Sequence, residues 1–401
     1  MSRVIHFDLE QAAEYFEGLE DPRSAVNLKH PFVSVLMIAM MGVLAGADGP
    51  TAIVRWARLK ADFLQETLPL PNGIPGKDVF WRVLAALKPA AFQACFYAWL
   101  NSLRTAAEEE QEVEQPVLAI DGKTSRRSHN RSKGLAALHA VSVWASEAEL
   151  TLAQVPCAAH SNEITAIPEV LKLIEAKGAI ITIDAMGTQT AIAEQIIDQE
   201  ADYVLALKAN HPHLHAAVVA HVETQMKTNF EDVAAEQHAT QETSHGREET
   251  RLYVQMPVPA DLPGKENWKG LKTIGVAIRT SIEKGKETTA ARYFLSSLPI
   301  AAKRFAHAVR THWSIETTCH WSLDFTFRED ESRIAHVHLR ENFAWLKRFS
   351  LSLLKQHPAK LSTVMKRRSC AWSDTFLMET LTGKTTYGPF HKKCNTEIDM
   401  I

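Results

Sequence analysis

The sequence predicts an α/β protein in which a mixed sheet is flanked by helices, with an all-helical N-terminal domain before it and a β-rich insertion within it. Three observations carry this expectation. Residues 1–110 show helical apolar spacing and turn signals but no strand-like run. Two short apolar runs, Val117–Ile120 and Ala179–Ile183, read as buried strands, and each ends in an acid, Asp121 and Asp184. Between residues 117 and 208, strand and helix patterns follow one another in the order βββαβαβ.

Each segment has a local reason. Asp8 is placed to cap Leu9–Phe16, and Glu20-Asp21-Pro22-Arg23 breaks that helix. Pro31–Leu44 is expected as a core helix with Pro in its first turn. The apolar stretch Pro31–Ala47 falls short of a bilayer span and lacks a basic flank, so it reads as buried in protein. The run Gly46–Pro50 stops this helix, and Thr51 restarts one with Trp56, Leu59 and Phe63 on one side. After a Pro- and Gly-rich loop, Asp78 caps a helix through Leu87, and Pro89–Leu103 forms another. The acidic stretch 105–115 reads as a linker.

Val117–Asp121 is the first strand, and His139–Ala145 and Leu150–Pro156 read as a hairpin. Ser161 or Asn162 caps a helix over Glu163–Lys177 that Gly178 ends. Strand Ala179–Asp184, helix Thr188–Gln199 and strand Tyr203–Lys208 complete the series. Beyond it, Arg251–Gln255, Thr273–Arg279 and Arg292–Ser297 read as strands of the insertion. A long helix is expected over Lys303–Phe325 and another over Leu339–Lys355, then a weakly periodic tail. The expected boundaries are 1–112 for the helical domain, 113–208 and 290–360 for the two parts of the core, 209–289 for the insertion and 361–401 for the tail.

Composition narrows function. A net charge of −3 does not advertise nucleic-acid binding, which would have to rest on local basic patches. The five cysteines are scattered, odd in number and free of any Cys-x-x-Cys pair, which fits free thiols in a reducing cytoplasm. The first thirty residues are acidic and polar, unlike a signal peptide.

A carboxylate at the end of a buried strand is costly unless a metal or hydrogen bonds meet it. Taken alone, an Asp-Gly pair after a strand is an ordinary turn. Two apolar strands each ending in Asp point instead to carboxylates converging at one sheet edge, a common way to build a divalent-metal site. A third acid is offered by Glu316 in THWSIETTCHW, where His312, Glu316, His320 and Asp324 recur every four residues and would share one helical face. The histidines flanking Glu316 are better cleft or phosphate contacts than zinc ligands.

The motifs AIDGK, TIDAMG and HWSIE, in this order, resemble the insertion-sequence DDE transposases, and within them the H-repeat-associated transposases of bacterial Rhs elements. The likeness extends over Leu19–Arg23, Asn27–Pro31, Ser161–Glu169, Ala206–Asn210, His245–Arg251 and Asn342–Arg348. It implies a ribonuclease-H-like core with a β-rich insertion before the last acid, and Mg²⁺-dependent DNA cleavage and strand transfer. Asp121, Asp184 and Glu316 match the three acids, at intervals of 63 and 132 residues. They would hold two Mg²⁺ ions about 4 Å apart, with Mn²⁺ as a substitute.

The broader family carries a Tyr-Arg-Glu-Lys signature. Here Val309, His312 and Leu323 stand at its Tyr, Arg and Lys positions, and His320 and Asp324 are the candidates to replace part of it. The expected DNA contacts are Lys123, the basic run Arg126, Arg127, His129, Arg131 and Lys133, Lys208 with Asn210, Arg310, His312 and His320, and the distal cluster Lys366-Arg367-Arg368. Expected partners are DNA, as element ends and target, and a second copy in a DNA-bound homodimer, in the cytoplasm at the nucleoid. Two alternatives stay open: a metal-dependent nuclease without strand transfer, and a catalytically silent DNA-binding relic.

Overall fold

A computed structural model of the chain describes residues 14–16, 18–24, 28–108, 115–158, 161–244 and 246–382. The Asp8 cap, Asn27, His245, Cys394 and most of the acidic linker lie outside the described residues.

Helices α1 (Phe32–Leu44), α2 (Pro50–Leu59), α3 (Ala61–Thr67), α4 (Lys77–Ala86) and α5 (Pro89–Glu108) come first. Helix α1 is apolar all round and buried from Ser34 to Leu44, as its even hydrophobicity demands. Among the described residues no helix is long and apolar enough to cross a membrane. Helix α2 is amphipathic and buries Ile53, Val54, Trp56 and Ala57. Leu59, expected on that face, is 85% exposed, because the helix ends there and Lys60 turns the chain into α3.

A nine-stranded sheet forms the centre. Its strands are β1 (Val117–Ser125), β2 (Leu138–Ala145), β3 (Leu150–Pro156), β4 (Ile180–Ile183), β5 (Asp202–Leu207), β6 (Glu236–Ser244), β7 (Arg247–Pro257), β8 (Thr273–Glu283) and β9 (Lys286–Ser296). Their spatial order is β3-β2-β1-β4-β5-β9-β8-β7-β6. Strands β1, β4 and β5 are parallel, and all other neighbours are antiparallel. The parallel crossovers are helices α6 (Glu163–Leu171) and α7 (Thr190–Asp198). The Asn162 side chain caps α6 by accepting from the Ile164 amide at 3.1 Å.

The β-rich region differs from its expectation in extent. Strand β6 and helix α8 (Pro212–Lys227) were not anticipated, and β7, β8 and β9 each run 11 residues. Strand β6 is polar and almost wholly exposed, and so is the first half of β9, so neither carries an apolar alternation. These strands continue the central sheet through the β5–β9 pairing.

The expected long helix over 303–325 is three pieces: α9 (Ala302–His312), a π-helical turn Ile315–His320, and the short α10 (Trp321–Phe325). Helix α11 (Val337–Gln356) is buried almost end to end and lies between the N-terminal helices and β3. The segment read as a weakly periodic tail contains α12 (Thr363–Trp372) and α13 (Asp374–Thr382). One continuous apolar core runs from Phe16 and α1 through α11 to the sheet, so the N-terminal helices pack on the same core as the strands.

Candidate active site

The pairing of β1 with β4 sets Ile120 opposite Ile183, so Asp121 and Asp184 follow at the same level on adjacent parallel strands. Asp184 Oδ1 accepts from the Met186 amide at 3.0 Å and the Gly187 amide at 3.4 Å, which turns the chain sharply after β4. That turn is tied down from β5 and the loop that follows it. Thr188 Oγ1 donates to the Ala206 carbonyl at 2.6 Å, and Asn210 Nδ2 donates to the Ala185 carbonyl at 2.6 Å.

A Cβ on either motif glycine would crowd a neighbouring side chain. A Cβ on Gly122 would overlap the Glu163 carboxylate, which bonds the His139 ring at 2.9 Å. A Cβ on Gly187 would overlap Ile183 and Ile167, both buried. Gly187→Ala is expected to destabilise the protein by about 1–3 kcal/mol through overpacking beneath Asp184. Urea titration checks this; an unchanged midpoint would show that the two isoleucines yield freely.

Glu316 arrives on the π-helical turn. Helix α9 lies close on the sheet because Gly275 of β8 leaves room for the Phe305 ring, which a Cβ would overlap. The Trp144 indole of β2 donates to Ser314 Oγ at 3.1 Å, and Ile315 and Cys319 are buried. Glu316 is left facing the cleft, and π-turns often mark functional sites. Asp121, Glu316 and His320 offer ligand atoms that all lie within 4.8 Å of one another. His320 is 5% exposed, with Nδ1 3.6 Å from Asp121 Oδ2 and 3.5 Å from Glu316 Oε2. Asp184 lines the same cleft with Asp121 and Glu316 but stands outside that tight cluster.

The local charges divide the acids. Burial first, and then the neighbouring Glu316, push the Asp121 carboxyl up to about 8. The hydrogen bond from His320 holds Glu316 well below the usual carboxylate range. Without a metal, burial and the neighbouring carboxylate therefore favour the protonated form of Asp121.

The polar stripe expected on one face divides. His312 Nδ1 meets Thr182 Oγ1 at 2.9 Å, and burial pulls its pKa down to about 4, so it is neutral at pH 7. Asp324 instead binds Lys123 Nζ at 2.6 Å.

Several expected DNA contacts are otherwise engaged. Lys123 is 8% exposed and committed to Asp324, so it does not present a free ammonium. Asn210 braces the Asp184 turn, and Arg310 pairs with Glu242 at 3.0 Å. Lys366 is buried and donates to the His357 carbonyl at 2.6 Å. Arg367 donates to the Thr326 carbonyl at 2.6 Å and to the Val43 carbonyl at 3.1 Å, and stacks on Phe327, so it joins the site-bearing segment to α1. Of that cluster only Arg368 is exposed.

The run from Arg126 to Lys133 does form an exposed basic rim, apart from the buried Ser128. Arg126 pairs with Asp330 at 3.1 Å, the Arg127 amide donates to the Asp330 carbonyl, and Arg340 Nη1 donates to the carbonyls of Ser128 and Ala136. Arg131 and Lys133 project beyond this anchored base. Lys208 lines the cleft.

Sequence reasoning missed Arg292, Trp313 as a cleft wall, and His215, all of which line the cleft. No local pattern marks them, since β9 brings Arg292 beside the acids only through its pairing with β5.

Comparison with known proteins shows the chain's relatives. The Transposase DDE domain matches residues 112–353, and the DDE_Tnp_1-associated domain matches residues 13–100. "Putative transposase YncI" of Escherichia coli O157:H7 is 35% identical over 385 residues, covering 95% of this chain and 96% of its own. "H repeat-associated putative transposase YhhI" of Escherichia coli K12 is 33% identical over 382 residues, covering 94% and 99%. A Xanthobacter autotrophicus protein encoded in the dhlA 3' region is 39% identical over 285 residues, covering 71% and 93%. With three acids on one cleft of a large mixed sheet and the domain match spanning more than half its length, the chain belongs to the DDE-domain transposase family.

Proposed function

We propose that the chain cuts DNA at the ends of an insertion element and joins them to a target, using Mg²⁺ or Mn²⁺ held by Asp121, Asp184 and Glu316. The central strands, in the order β3-β2-β1-β4-β5 with β1, β4 and β5 parallel, serve as a ribonuclease-H-like core. The observation that carries this reading is the gathering of Asp121, Glu316 and His320 within 4.8 Å, one strand across the sheet from Asp184.

The donor set fits a hard divalent ion, since carboxylate oxygens suit Mg²⁺ and an imidazole nitrogen is also acceptable to Mn²⁺. When bound, the metal supplies the Lewis acidity by which a water or a DNA 3′-hydroxyl attacks a phosphodiester. The chain's own residues do the rest. Asp121 and Glu316 bind from two elements, and His320 orients both carboxylates from beneath. The Asp184 turn is kept rigid by Thr188 and Asn210. Lys208 and the rim from Arg126 to Lys133 hold the strand, and two copies act on paired DNA ends. Positioning and charge neutralisation are the main demands of phosphoryl transfer.

The direct test is an assay that scores nicking and strand transfer separately on a plasmid carrying the element's ends. Wild type should give both products with Mn²⁺, and Asp184→Asn neither. Nicking without joined product would leave a nuclease, and no nicking at all would sink the reading.

A pH signature should accompany metal binding. Because Asp121 is held up to about 8, metal entry at pH 7 must displace its proton. Apparent affinity should rise as pH climbs towards 8 and level off above it. Calorimetry in buffers of different ionisation enthalpy should show about one proton released per site at pH 7. A buffer-independent heat would contradict this.

A further inference from the structure

We infer that Arg292, braced on Trp313, clamps a DNA backbone phosphate beside the bond that the three acids cleave. This rests on the cutting function proposed above and assigns its phosphate contact to a strand residue.

Arg292 lines the cleft together with Asp121, Asp184 and Glu316. Its guanidinium carbon sits 4.2 Å over the Trp313 ring. Stacking fixes the fork while leaving its edge donors open, and a planar fork matches the two oxygens of a phosphate. Among the described residues no carboxylate lies within ion-pair distance of Arg292, whereas two other nearby cations are already paired. Lys123 is bound to Asp324 and Arg310 to Glu242. Burial first, and then the neighbouring cation Arg279, pull the Arg292 pKa down. A guanidinium in that setting gains from an anion.

The geometry also says why the anion is a substrate phosphate. The acids of the cleft repel free phosphate, whereas a DNA strand is held by many contacts, including the exposed basic rim of Arg131 and Lys133. Trp313 lies three residues before Glu316, so a phosphate gripped by Arg292 is fixed relative to the turn that carries the third acid.

The test uses the full chain and a duplex carrying the element's terminal sequence, with single phosphates replaced in turn by neutral methylphosphonates. In Ca²⁺, binding can be read without cleavage. One substituted phosphate should weaken wild-type binding but leave Arg292→Ala unaffected. Arg292→Ala should bind the normal duplex about 10- to 100-fold more weakly, the range for losing a charge-assisted hydrogen-bonded contact. Arg292→Lys, which retains charge without the fork, should fall between. Mn²⁺ affinity, read by calorimetry, should match wild type in both variants, and inorganic phosphate should compete no better against wild type than against Arg292→Ala.

Unchanged affinity in Arg292→Ala, or the same methylphosphonate pattern in both proteins, would overturn the clamp, as would failure of wild type to bind the duplex. Loss of Mn²⁺ binding in both variants would also overturn it, since the arginine would then be supporting the acids. If the pattern depends on Arg292 but wild type does not cut in Mn²⁺, the clamp stands and the cutting reading falls.

Discussion

Asp121→Asn should abolish metal-dependent nicking, by three orders of magnitude or more, equivalent to about 4 kcal/mol of lost transition-state stabilisation. Asn is nearly isosteric but cannot ionise, so it removes a ligand charge from the centre of the cluster with Glu316 and His320. Glu316→Gln should do the same from the other side. The folded protein should tolerate both. Burial and Glu316 already favour the protonated form of Asp121 in the absence of metal, and Asn mimics that form.

The pH dependence follows in sign. A folded-state pKa raised to about 8 means that the Asp121 contribution to stability is complete below its ordinary value of 3.8 and is lost as pH rises through 8. Asp121→Asn escapes that loss, so its stability relative to wild type should improve with rising pH over this window. Urea titrations at pH 5 and pH 9, paired with the nicking assay, read both effects. A variant that still nicks at more than a hundredth of the wild-type rate would remove Asp121 from the chemistry.

Arg348→Ala should cost about 3–5 kcal/mol of stability, the range for stripping one partner from a buried ion pair. Arg348 of α11 and Glu329 are each 1% exposed and lie 2.7 Å apart. The same guanidinium donates to Ser142 Oγ on β2 and to the Ala344 carbonyl. Burial works against ionisation of Glu329, but Arg348 and Lys347 overcome it and hold the carboxyl below its usual range. Its stabilisation is therefore present at neutral pH and is lost on acidification.

The loss should also reach the site, because the next residue, Asp330, pairs with Arg126 at 3.1 Å and lies 4.0 Å from Lys123. Urea midpoints of Arg348→Ala and of Arg348→Met/Glu329→Leu should separate the contributions. The double apolar variant should recover much of the stability, whereas an equal or greater loss would mean that shape, not the stranded charge, was the problem.

Legibility followed burial. Strands β1 to β5 were visible because their apolar runs are short, β-branched and fully enclosed, and the helix between β3 and β4 announced itself through Asn162. The polar β6 and the exposed half of β9 carry no such imprint, because neither face meets a core. Even four-residue spacing from His312 to Asp324 suggested one helical face, but the π-helical turn breaks that periodicity and sends His312 to Thr182 and Asp324 to Lys123. Charge was the least legible property. Lys123 and Arg367 read as free cations in one dimension and are neutralised or buried in three.

The sequence by itself determined which family the chain belongs to, the succession of its central strands along the chain and the two strand ends that carry Asp121 and Asp184, because apolar periodicity and motif spacing are properties of neighbours along the chain. Only the tertiary structure decided which cations remain unpaired, that His320 meets Asp121 and Glu316, and that Arg292 faces the same cleft. Those outcomes depend on contacts between different elements of the fold, such as Lys123 with Asp324 and His320 with Asp121, where burial and pairing, not local pattern, set the energy.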